Sequence, residues 1–73
     1  MHAQIEQGDY INAKVFEAID YAVHCATLDD AAALLRNAIP KHMMVYRGGS
    51  HVALINNNAP RGKRVAIITE QMK

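Results

Sequence analysis

His24 and Cys25 stand side by side in "YAVHCATLDD", and by type they are the pair best suited to nucleophilic chemistry. A thiol becomes an effective nucleophile when a base lies within hydrogen-bond reach. Adjacent residues on a helix point about 100° apart, so on a helix these two cannot converge on one reacting atom. Cys25 is the only cysteine, and on an apolar stripe it reads as a small hydrophobe. The other imidazoles are His2, His42 and His51, and no CxxC, HxxxH or HExxH spacing gathers them into a ligand set. Ser50 adjoins His51, but no third residue is placed to orient that ring. "YRGGSH" lacks a following helix to hold an anion, and "PRGKR" lacks the GxxxxGK[ST] frame of a phosphate loop. These residues predict no enzyme, no metal and no cofactor.

The elements that would carry these side chains follow from spacing. Ile11, Val15, Ile19, Ala22 and Ala26 recur at helical intervals, with Phe16 widening the stripe, and predict a helix over about 10–25. Asp9 or Asn12 can cap it. Alternation in "YAVHCA" offers a rival strand over 21–26. In "TLDD", Thr27 and Asp30 approximate a capping box, and Leu28, Ala31, Ala32, Leu35 and Ile39 form a second stripe. Pro40 ends that helix, because the residue before proline is steered out of helical geometry.

Strand patterns fill the remainder. "HMMVYR" and "HVALIN" flank "GGS", and a two-residue turn on Gly48-Gly49, at positive φ, would set Val45 opposite Val52 and Met43 opposite Leu54. "RVAIIT" supplies a third strand after the long connection Asn57–Lys63, which exceeds the needs of a minimal hairpin. His2 falls in a tail expected to fray. The expected fold is α+β, with two N-terminal helices packed on one face of a three-stranded antiparallel sheet in a single domain over 1–73.

Seventy-three residues form a marginal core, burying only about 60% of the unfolded surface, and no internal disulfide can form from one cysteine. A partner chain, a homodimer included, is the expected supplement. The cysteine content fits a reducing cytoplasm. No apolar run approaches the ~20 residues of a membrane span, and "MHAQIEQGDY" lacks the features of a signal peptide.

The net charge of +1 hides a division. Residues 1–35 hold Glu6, Asp9, Glu17, Asp20, Asp29 and Asp30 against Lys14 alone; residues 36–73 hold Arg36, Lys41, Arg47, Arg61, Lys63, Arg64 and Lys73 against Glu70. Such asymmetry marks either a surface for a charged partner or two halves that neutralise each other within the fold. The candidate partner-binding residues are Lys41, Met44, Tyr46, Arg47, Arg61, Lys63 and Arg64. Met44 and Tyr46 share a semi-apolar sheet face with Ala53 and Ile55, of the kind that another protein covers. The basic residues of loop 57–64, with Asn56, Asn57 and Asn58, offer the alternative of direct DNA or RNA binding. Both predicted helices are acidic or neutral, and aromatics for base stacking are few, which places a protein partner first.

"TLDDAAALLRNAIPKHMMVYRGGSHVALI" resembles the helix-then-hairpin layout of small phage-encoded inhibitor proteins, anti-CRISPR proteins among them. The resemblance covers about 29 of the 73 residues and is one of layout. It implies a small non-enzymatic protein that blocks a host nucleic-acid-handling or defence complex by occupying a charged surface.

Overall fold

Asn12 starts the first helix: its Oδ1 accepts from the Val15 N–H at 2.9 Å, which satisfies one of the free donors of the first turn. The computed structural model describes residues 1–70. In chain order these form β1 (His2–Ile5), a single 3₁₀ turn (Gly8–Tyr10), α1 (Ala13–Val23), α2 (Leu28–Ala38), β2 (Met43–Arg47), β3 (His51–Asn56), a second turn (Arg61–Lys63) and β4 (Arg64–Thr69). Thr27 caps α2 by accepting from the Asp30 N–H at 3.1 Å. Ile39, before Pro40, is extended and closes α2. The "YAVHCA" stretch is helical up to Val23, which excludes the rival strand.

The α+β class stands, but the sheet has four strands, in the order β1-β4-β3-β2. The expected three-stranded sheet and leading helices are thus corrected: a strand precedes both helices. "HAQI" is held as β1 by pairing with β4, from His2↔Thr69 to Ile5↔Ala66, rather than by any strong pattern of its own. His2 therefore belongs to the sheet and not to a frayed tail.

The β2–β3 register also differs from expectation. Val45 pairs with Leu54, Met43 with Asn56 and Arg47 with Val52, so the turn centres on Gly49 and Ser50. Neither Gly48 nor Gly49 has a positive φ. A Cβ at Gly48 would meet the His51 imidazole, so a larger residue there requires that ring to move. Because the slip spans two residues of pairing, every side chain keeps its expected face.

Helices α1 and α2 pack on each other, and α2 lies over β2 and β3. Between helices and sheet, Val15, Leu35, Val52, Leu54, Val65 and Ile68 are wholly buried. Phe16 departs from the expected stripe and is 39% exposed, its ring edge near Gly8 at the start of the first 3₁₀ turn.

Candidate binding cleft on the outer sheet face

The face of the sheet turned away from the helices is built by alternation. Met44 and Tyr46 point outward from β2, and His51, Ala53 and Ile55 from β3, opposite the residues that enter the core. A β-bulge then re-aims β4. The pairing runs from Leu54↔Ala66 to Ile55↔Arg64, leaving Val65 as the extra residue. Without that bulge Arg64 would sit opposite Asn56, on the helix side. With it, Val65 is fully buried and Arg64 emerges on the outer face.

Loop 57–63 is anchored at both ends. Asn56, 5% exposed, donates from Nδ2 to the Tyr10 carbonyl at 2.9 Å and accepts from the Asn58 N–H at 2.8 Å. Ala59 is buried in the core. From across the sheet, Gln7 Nε2 donates to the Pro60 carbonyl at 3.0 Å and the Arg64 carbonyl at 2.7 Å. The tip is a left-handed turn in which Arg61, Gly62 and Lys63 have φ of 57°, 81° and 71°. Only Gly62 adopts such geometry without steric cost.

These elements enclose an open cleft of about 530 Å³. Ala53 and Ile55 lie in its floor, Tyr46 and His51 at one end, and Glu6, Gln7, Arg61, Gly62 and Arg64 along the rest. The Tyr46 and His51 rings are tilted at 45° with centroids 6.0 Å apart. Ala53 is the small residue that makes the floor deep, since its cross-strand partners Tyr46 and Ile67 are both large.

The charges of the candidate residues are unequally free. Arg64 binds Glu6 through two hydrogen bonds, Nε to Oε1 at 2.7 Å and Nη2 to Oε2 at 2.9 Å. Those bonds, and then the charge of Glu6, hold the guanidinium pKa above its ordinary value. Arg47 donates from Nε to Asp29 Oδ1 at 2.8 Å, so it faces the N-terminal turn of α2 rather than the cleft. These two pairs join the acidic and basic halves of the sequence. Arg61 and Lys63 have no ion-pair partner among the described residues.

Of the residues singled out from sequence, Tyr46, Arg61 and Arg64 meet at the cleft. Met44 shares the outer face, 53% exposed. Lys41 lies in the exposed turn before β2, Lys63 lies at the loop tip, and neither lines the cleft. Glu6 and Gln7 escaped sequence reasoning, because they reach the site only through the pairing of β1 with β4. His51 was legible as an outward-facing strand residue but not as part of a binding surface.

The dyad of His24 and Cys25 is held apart by the helix end itself. His24 Nδ1–H donates to the Asp20 carbonyl at 2.7 Å, and the Cys25 thiol donates to the Tyr21 carbonyl at 3.7 Å. Each group is tied to its own carbonyl one turn back. Among the described residues no three His, Cys, Asp or Glu side chains cluster so as to hold a metal ion, and no helix is long and apolar enough to cross a membrane. No family model, curated protein or solved structure matches the chain.

Proposed function

We propose that this is a non-enzymatic binding protein that docks a partner protein on the outer face of its sheet. The observation that carries the reading is the cleft: an apolar floor of Ala53 and Ile55, an aromatic end at Tyr46, and Arg61 free at the rim. An apolar centre with aromatic and arginine neighbours is the composition that protein interfaces favour. The same layout, with helices shielding one face and a short hairpin displayed on the other, accords with an inhibitor that occupies a surface of a host nucleic-acid-handling or defence complex.

Direct binding of DNA or RNA through loop 57–64 is less well supported. Two of the arginines that would read phosphates, Arg47 and Arg64, are engaged by Asp29 and Glu6. The acidic first turn of α2, with Asp29 and Asp30, adjoins the other hairpin end.

Capture from a nuclease-treated lysate separates the readings. A protein retained by the wild-type chain and lost with I55E/R61E, while circular dichroism shows that the variant is folded, is the expected result. Capture that vanishes with nuclease alone would transfer the function to nucleic acid. Salt also discriminates: the affinity of a nucleic-acid complex falls steeply as salt rises, and that slope flattens by about one unit for each phosphate contact removed.

A further inference from the structure

One edge of the sheet carries unpaired backbone groups beside two large exposed side chains. β2 is the outermost strand, and it has no proline and no bulge to discourage pairing. In an antiparallel ladder, residues alternate between turning their N–H and C=O toward the neighbouring strand and away from it. The bonds from the Gly48 N–H to the His51 carbonyl at 2.8 Å, and from the Asn57 N–H to the His42 carbonyl at 3.4 Å, fix that phase. Even-numbered positions face β3. Val45 and Arg47 therefore present both backbone groups at the free edge. Met43 presents its carbonyl there, while its N–H donates to the Pro40 carbonyl at 3.1 Å.

We propose that this edge takes a second copy of the same chain, β2 against β2, antiparallel about a two-fold axis at Val45. In that register Val45 exchanges both hydrogen bonds with its counterpart, and each Arg47 N–H meets a Met43 carbonyl of the other copy. The committed Met43 N–H is not needed. Met44 falls opposite Tyr46 of the second copy, and Tyr46 opposite Met44, in the non-hydrogen-bonded positions where cross-strand side chains come closest. Thioether against aromatic ring is a favourable pairing. The two most exposed large side chains of β2, at 53% and 57%, thus cover one another. A shift one step either way sets Met44 on Met44 or Tyr46 on Tyr46, and turns the other residue toward His42 or Gly48.

Charge favours the same partner. α2 lies over β2, and the Asp29–Arg47 pair places its N-terminal turn above the C-terminal end of that strand. The two-fold axis then runs the two α2 helices antiparallel. The turn bearing Asp29 and Asp30 comes to the side of the copy's last turn, which bears Arg36. The opposite edge lacks these features: β1 is shorter and its outward residues are His2 and Gln4. Pairing at the edge leaves the cleft floor of Ala53 and Ile55 open, and it draws on Tyr46, which also stands at the end of the cleft.

Sedimentation velocity on the whole chain, from roughly 10 μM to 1 mM, tests the arrangement. The wild type should sediment as a dimer in this range. M44K/Y46K and M44E/Y46E should each be monomers, because like charges would face each other across the axis, and an equimolar mixture of the two should dimerise again as each Lys meets a Glu. V45P, which removes an outward N–H without touching the β3 ladder, should also be monomeric. Circular dichroism on each variant confirms that the fold is kept, and V45P serves if the charged pairs unfold. A wild type that stays monomeric to 1 mM, a folded V45P or charged variant that stays dimeric, or a mixture that fails to pair would each overturn the proposal.

Discussion

Ala53 and Leu54 are consecutive residues of β3, and both are nearly inaccessible, at 4% and 1% exposed. Leu54 is covered by helices. Ala53 is covered only because it is small and its cross-strand neighbours Tyr46 and Ile67 rise on either side of it. Burial on the inner face removes a large side chain from water and stabilises the fold. Burial on the outer face leaves a hollow that a partner's side chain can fill. One number describes both residues, and the cause behind it separates core from site.

The most severe way to probe this contrast is to truncate the inner face. Leu54→Ala should cost about 2–5 kcal/mol, the range for emptying a well-packed leucine site. Each kcal/mol lowers the melting temperature of a domain this size by roughly 4–8 °C. Thermal melting of Tyr46→Ala beside it, in protein too dilute to self-pair, should show a loss within about 0.5 kcal/mol, as for an exposed position. Equal losses would abolish the distinction between the faces.

A smaller effect is expected where the two faces are joined. Asn56→Ala removes the buried amide that ties Tyr10 and the start of loop 57–63 to β3. The Tyr10 carbonyl and the Asn58 N–H each lose a partner, for a cost of about 1–3 kcal/mol by chemical denaturation. A negligible change would show that the loop holds its shape without this anchor.

The least effect, and the only gain, concerns the rim. Lys63→Gly relieves a side chain at φ 71° but adds freedom to the unfolded chain. The balance should be a stabilisation of up to about 1 kcal/mol in the same denaturation experiment. A loss of stability would mean that the Lys63 side chain itself supports the turn.

Local chemistry made much of this fold legible. Asn12 and Thr27 accept from the first turns of their helices, Pro40 closes the second, and β3 and β4 span the stretches "HVALIN" and "RVAIIT" from end to end. These features depend on neighbours in sequence. What was hidden depends on distant ones. "HAQI" has too few apolar residues to announce a strand and becomes one only against β4. Arg64 looks like a free loop charge until the bulge at Val65 and the arrival of Glu6 give it a face and a partner. Arg47 likewise acquires Asp29 from α2. The hairpin turn lies on Gly49 and Ser50, one residue beyond the Gly48-Gly49 pair, and neither glycine takes a positive φ.

The pairing of β1 with β4 has a consequence for how the chain assembles. α1 packs on α2 and β2 on β3 through contacts close in sequence, whereas His2 meets Thr69 across almost the whole described chain. Closing so long a loop costs entropy before any contact repays it, so pairings of this kind form slowly. On this ground β1 is expected to dock after the rest, bringing Glu6 and Gln7 with it. A chain folding in that order would display Arg64 without its carboxylate and Pro60 without its amide donor until the final step. The cleft acquires its finished wall, and Arg64 its paired state, only when the first strand has come home.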